Sequence, residues 1–220
     1  DLDHDLGDVF AYFNQEPLRP LQDLSELDEN VDPEAVVELG TPLDGDVVGF
    51  GSPPDPQAEP IPADAVTKLL RSLSSAFPFV VVDASAEYGD HVLAAFDVSD
   101  VVCLITALDV IGVRHLSLGM KTLERLGIPR ERLRVILNRS DSKVDLTSTE
   151  IEKILGIQMH ARIPSSPLVP RSVNHGRLVW FDEPRSEVAQ SIGSFADQLC
   201  RQFVPESTVG RRRRGRFRRS

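Results

Sequence analysis

What the sequence has little of narrows it first. Two cysteines, Cys103 and Cys200, among 220 residues give no disulfide framework and fit a reducing compartment. Cys103 lies in the apolar run Val101–Ile105 and reads as a small core residue. No apolar run has the length a bilayer span needs. The opening residues are acidic and lack the basic-then-apolar form of a signal peptide. The five histidines stand apart from one another, and His175 has no cysteine or carboxylate at ligand spacing, which argues against a metal role. The chain contains no G-x-x-x-x-G-K-[ST] and no Gly-Lys pair, so a loop that cradles phosphate on consecutive backbone N–H groups is absent from it. No Ser/His/Asp or Cys/His order marks a nucleophile.

Basic residues are scarce, and their placement is uneven. The formal net charge is -10, yet seven of the 24 Lys and Arg lie in Arg211–Ser220, which contains no acid. Residues 1–210 therefore carry -17. An acidic body argues against direct DNA binding by the folded part. The tail reads as a disordered, arginine-rich segment. Arg211–Arg219 is either an electrostatic anchor to an anionic membrane, worth about 1 kcal/mol per basic residue near the surface, or a solubilising tail.

What is present is an alternation of helix and strand patterns in a chain 41% hydrophobic, enough for one α/β domain with a sizeable core. Residues 1–60 are acidic and rich in Pro and Gly. A short helix is expected over Val31–Leu39, with Asp32 as N-cap and Pro33 in the first turn, and a short strand over Asp46–Phe50. Ala63–Ala76 has Val66, Leu69, Leu70 and Leu73 on one helical face. Strands are expected over Phe79–Asp83, Val101–Ile105, Leu133–Asn138 and Met159–Ile163. Helices are expected over His91–Phe96, Val113–Leu126, Thr149–Leu155 and Ser186–Phe203. In the last, Val188, Ile192, Phe195 and Leu199 face the core. Leu116, Met120 and Leu123 recur at core spacing, and Gly127 is placed to end that helix. The fold class is α/β: a doubly wound, mostly parallel sheet with helices on both faces. Domain organisation is residues 1–205 followed by the tail 206–220.

Ligands of such sheets sit at the carboxyl ends of the strands. Asp83 ends one apolar run and Asn138 another. An Asp there can hold a hydrated Mg²⁺ through its water shell, and an Asn can hydrogen-bond a base edge; either alone serves equally well to open a turn. Asp1-Leu2-Asp3-His4-Asp5-Leu6-Gly7-Asp8 packs four carboxylates into eight residues. It reads as an acidic solvated loop, or, if Asp1 ends a strand, as carboxylates that orient an attacking water at a metal-bound phosphate. Ile163-Pro164-Ser165-Ser166 ends the next strand and is placed to close on the same base. Arg171–Gly176 is expected as a loop over the site. The chain opens on Asp1 rather than Met, as though an element were already under way, and a missing N-terminal segment is the expectation.

Taken in order, these strings resemble the MinD/ParA-like P-loop ATPases, and within them the CpaE/TadZ branch associated with Flp (Tad) pilus assembly. The strings are Asp1-Leu2-Asp3…Gly7-Asp8-Val9, Phe79-Val80-Val81-Val82-Asp83, Asp90-His91-Val92-Leu93-Ala94-Ala95-Phe96-Asp97, and Val135-Ile136-Leu137-Asn138-Arg139-Ser140-Asp141-Ser142-Lys143. Ile163-Pro164-Ser165-Ser166…Val169-Pro170…Val173-Asn174-His175-Gly176 completes them. The resemblance covers about residues 1–203. It implies a P-loop NTPase-like sheet whose first strand and phosphate loop lie upstream of Asp1, leaving two unpaired edges. It implies ATP and Mg²⁺ as ligands. Asp1 and Asp3 would lie in the switch region, Asp83 would be the Walker B acid holding Mg²⁺ through water, Asn138 would bind the adenine edge, and Arg139, Pro164 and Ser165 would lie beside the base. Catalysis would belong to the full-length protein, in an ATP-dependent homodimer that serves pilus assembly at the cytoplasmic face of the membrane. Alternatives are a non-hydrolysing scaffold of the same fold and a septum- or DNA-positioning ATPase. The turn Ala84-Ser85-Ala86-Glu87-Tyr88 departs from the Pro-rich or small-residue turn often found after the Walker B acid, which leaves hydrolysis open.

Overall fold

The computed structural model describes residues 1–24, 32–53, 55, 57, 59–142 and 147–203. It divides into two compact units. The first comprises Asp1–Val102, Thr122–Leu133 and Pro167–Asp182; the second holds Cys103–Lys121, Arg134–Ser166 and the chain from Glu183 onward. Lys143 and the arginine tail lie outside the described residues.

The first unit is built on helices. In α1 (Pro33–Leu39) the Asp32 carboxylate accepts from the Glu34 N–H at 3.0 Å and satisfies a donor the helix leaves orphaned. A hairpin follows, β1 (Thr41–Leu43) antiparallel to β2 (Val47–Gly49). Its three-residue turn, Asp44–Asp46, places Gly45 at φ 79° and Asp46 at φ 60°. Along α2 (Ala63–Ala76), Val66, Leu69, Leu70 and Leu73 are buried at the spacing the sequence shows. They form one core with Leu2, Leu21, Leu24, Val36 and Ile61, and with Ala94 and Ala95 of α3 (Asp90–Val98). α6 (Leu168–Asn174) and α7 (Val179–Asp182) complete the unit.

The second unit carries a sheet of three strands in the order β3 (Val102–Ala107), β4 (Leu133–Asn138), β5 (Ala161–Ile163). β4 and β5 are parallel, with Ile136 opposite Ala161 and Asn138 opposite Ile163. Val135 and Leu137 are fully buried and Ile136 nearly so, as expected of a strand covered on both faces. Residues 110–121 of α4 (Val110–Arg125), α5 (Ser148–Leu155) and α8 (Glu187–Phe203) belong here, α8 against β5. α5 opens with a reciprocal capping box between Thr147 and Glu150 and closes at Gly156 with φ 63°. The α/β class and its parallel pairing are as the sequence indicates.

Four expectations are corrected. Phe79–Asp83 forms no strand; it runs extended, with Val80 and Val82 turned to the core and Val81 90% exposed. Its continuous apolar run is a strand's, but a ladder needs a neighbour, and here Leu2 N donates to Asp83 O at 2.8 Å. Cys103 is exposed, because the period of two along β3 sets it and Ile105 on one face and Val102 and Thr106 on the other, buried one. Arg171–Gly176 is mostly helix: α6 tolerates Pro170 because it lies in the first turn, where its missing N–H costs no helical bond. In α8, Val188 and Ala189 are buried, but Ile192 is 40% exposed.

These burials predict opposite outcomes for two valine-like positions. Leu137→Ala is expected to cost about 2–5 kcal/mol of stability. Val81→Ala should shift it by less than about 0.5 kcal/mol. Chemical denaturation of each variant checks the pair.

Candidate functional site

In the first unit the chain's opening turn lies against Asp83. Leu2, buried in the core, donates its N–H to Asp83 O and so carries Asp1 and Asp3 to either side of that bond. The Asp1 amino group donates to Phe50 O at 2.7 Å. Both Asp1 carboxylate oxygens are engaged: Oδ1 accepts from Asp3 N at 3.1 Å and Oδ2 from Val9 N at 3.2 Å. Asp3 Oδ1 accepts from Leu6 N at 3.0 Å. Two of the motif's four carboxylates, those of Asp1 and Asp3, thus hold a hydrogen-bonded turn, while Asp5 and Asp8 are exposed. Gly7 is required by the turn, because a Cβ there would stand 2.5 Å from Asp3 O and 2.7 Å from Asp1 Oδ2.

The same turn meets the N-terminus of α3 through two histidines. The rings of His4 and His91 stand edge to face, 5.6 Å apart at 88°. His91 is buried, and its Nε2 has no hydrogen-bond partner. Desolvation holds its pKa below the ordinary 6.5, His4 adds to that shift, and Asp90, Asp3 and Glu87 oppose it. This contact was invisible in the sequence, where the two residues are far apart and unclustered.

In the second unit the end of β4 and the end of β5 are stitched together. Ser140 N donates to Ile163 O at 3.0 Å, and Ser165 N donates to Asp141 Oδ1 at 2.6 Å. Asn138 is exposed, and its Oδ1 accepts from Arg139 N at 3.0 Å; Arg139 itself sits at φ 51°. Asn138, Arg139, Pro164 and Ser165, chosen separately from the sequence, therefore surround one pair of strand ends. Asp141 was missed as a contributor. The Ser165 N–H and hydroxyl hold its carboxyl below its ordinary range. Its signal was an Asp three residues past a strand end, the pattern of a side chain that caps a turn.

The two clusters fit a nucleotide unequally. The exposed Asn138 amide, with its supporting Asp141–Ser165 brace, suits a base edge. Phosphate and Mg²⁺ are another matter. No cradle of consecutive N–H groups with a Gly-Lys pair is encoded in the chain. Among the described residues no group of three or more His, Cys, Asp or Glu is arranged to hold a metal ion. Asp1 has spent its carboxylate on the backbone. Asp83 alone could act on Mg²⁺ only through water, so this chain's residues do not complete a metal-phosphate site.

No protein-family model and no curated protein matches the sequence. Solved structures do match in fold. A ParA family ATPase from Chlorobium tepidum superposes with a TM-score of 0.81 at 23% identity, over 89% of this chain and 83% of that one. The cell division ATPase MinD from Pyrococcus furiosus gives 0.73 at 18% identity, over 91% and 83%. The septum site-determining protein MinD from Pyrococcus horikoshii, solved with Mg-ADP, gives 0.72 at 16% identity, over 90% and 80%. The chain has a ParA/MinD-like fold.

Two measurements test this geometry. Gly7→Ala should force the opening turn apart and cost about 1–3 kcal/mol, read by thermal or chemical melting. The lowered His91 pKa sets a pH dependence whose sign is fixed. The unfolded chain takes up the proton first, so stability is lost as pH falls below 6.5 through His91. His91→Leu should flatten the part below 6.5 in melts followed across that range; an unchanged slope there would show that His91 is solvated.

Proposed function

We propose that this is an ATP-binding protein of the MinD/ParA type, of the CpaE/TadZ branch, that localises or regulates Flp (Tad) pilus assembly through ATP-dependent dimerisation. The observation that carries the reading is the ParA/MinD-like fold over about nine-tenths of the chain, with Asn138 and Asp83 standing at the ends of apolar segments where a nucleotide ligand is expected. The branch and the pilus role rest on the sequence strings that end in Val135–Lys143 and Ile163–Gly176. Neighbours of this fold include a MinD bound to Mg-ADP and a MinC:MinD complex, which supports nucleotide and a protein partner as ligands here.

On this reading Asn138 takes the adenine edge, with Arg139, Pro164 and Ser165 beside it. Asp83 acts on Mg²⁺ through water, and Asp1 and Asp3 hold the switch turn in place. The phosphate loop and first strand belong to a segment upstream of Asp1. Two features support such a segment: the Gly-Lys pair is missing from the chain, and Phe79–Asp83 has the pattern of a strand without being one. Site of action is the inner membrane face, held peripherally; no helix among the described residues is long and apolar enough to cross a membrane. The tail Arg211–Arg219 is the anchor to anionic lipid in this reading.

A second reading is a scaffold of the same fold that binds nucleotide without turnover. The engaged Asp1 carboxylate and the Ala84–Tyr88 turn favour it. One experiment separates the two. The coding sequence is extended upstream of Asp1, and the product is titrated with labelled Mg-ATP and assayed for phosphate release. Binding is expected, weakened about tenfold or more by Asn138→Ala, which corresponds to about 1.4 kcal/mol. Binding without release selects the scaffold. An extended, folded protein that binds no Mg-ATP would overturn both.

A further inference from the structure

The ATPase reading does not use α4, and the outward face of that helix is unusual for this chain. Its inward face is ordinary, with Leu116 and Met120 buried. Opposite them, Ile111, Arg114, His115, Leu118 and Lys121 follow at the three- and four-residue steps of one helical stripe, and all five are exposed. Val110, at the head of the helix, is 76% exposed, Ile111 67% and Leu118 61%. Scattered exposed apolar residues need no explanation, but Ile111 and Leu118 on one short stripe, with Val110 at its head, do.

The charge of the stripe is the second observation. The chain contains 34 Asp and Glu against 24 Lys and Arg, yet residues 110–121 include no carboxylate at all. Asp109, just before the helix, is committed to capping it, with Oδ1 accepting from Gly112 N at 2.7 Å. The result is a cationic stripe with apolar anchors that ends before Glu124, which pairs with Arg130, on a chain whose residues 1–210 are acidic.

We infer that the outward face of α4 is a docking surface for an acidic protein segment that brings its own apolar residues against Val110, Ile111 and Leu118. Three arguments select this occupant. Complementary charge at the rim steers encounter and fixes register, while the apolar centre supplies the binding energy. A symmetric contact between two copies through α4 would set Arg114 and Lys121 against their own kind, which is repulsive. An anionic bilayer would meet three apolar side chains on a helix whose other face is locked into the core, on a chain of net charge -10. The inference stands apart from nucleotide binding and does not require it.

The test uses the full chain and a labelled, helical twenty-residue peptide of Leu and Glu, with Leu on one face. Fluorescence anisotropy at low salt is expected to show saturable binding that weakens as salt rises. Arg114→Glu/Lys121→Glu should weaken it at least tenfold, as should the charge-neutral pair Ile111→Ser/Leu118→Ser. Both changes sit on exposed positions, and circular dichroism melts confirm that the fold is kept. The same peptide with Lys in place of Glu should not bind. Equal binding by the charge-reversed protein overturns the inference. So does self-association in sedimentation that Arg114→Glu/Lys121→Glu abolishes, which gives the face to a second copy. Sedimentation with phosphatidylglycerol-containing vesicles that the same change abolishes overturns it too, in favour of a membrane.

Discussion

The register of β4 against β5 is the constraint on which the cluster at their carboxyl ends depends. Asn138 lies opposite Ile163, so the residues that follow each strand emerge side by side. A slip of one residue would carry every side chain of β4 to the opposite face and drive the charged Arg134 side chain into the packing that Val135 and Leu137 now fill. The full burial of those two side chains therefore fixes where Asn138 ends up. The bonds from Ser140 to Ile163 and from Ser165 to Asp141 then hold the two loops in the relation the strands have set. Hydrophobic burial supplies the energy, and polar bonds at the strand ends supply the geometry.

The opening turn obeys a different logic. Its carboxylates do not repel one another into solvent because backbone N–H groups are aimed at them. Asp1 takes two, from Asp3 and Val9, and Asp3 takes one from Leu6. A carboxylate bonded in this way serves the backbone first, and any catalytic use must leave those bonds intact or replace them. Buried Leu2 anchors the turn to the core, and the His4–His91 contact ties it to the start of α3. A change in either segment is therefore felt by the other.

Much of this was legible in the residues. α2 has the expected limits, Asp32 caps α1, and Gly127 and Gly156 take the positive φ that helix ends require. These features are local: a periodicity, a cap or a glycine carries its own physics. What was not legible depended on neighbours. Phe79–Asp83 has a buried strand's composition, but whether a ladder forms is decided by a partner its own sequence does not encode. Cys103 sits in an apolar run, and only the absence of cover on one face of β3 makes it exposed. Asp141 and the His4–His91 pair arise from contacts between segments distant in sequence, and no spacing rule announces them. That Asn138, Arg139, Pro164 and Ser165 lie together was legible because strand ends are predictable once the strands are.

The central claim is that this chain has a ParA/MinD-like fold in which β4 lies between two strands and Phe79–Asp83 belongs to no ladder. Amide hydrogen exchange on the 220-residue chain tests it most directly. Slow exchange is expected at Val135 and Leu137, with exchange at Val80, Val81 and Val82 faster by orders of magnitude. Equal protection of the two segments would contradict the account, because it would mean that Phe79–Asp83 already has a ladder partner.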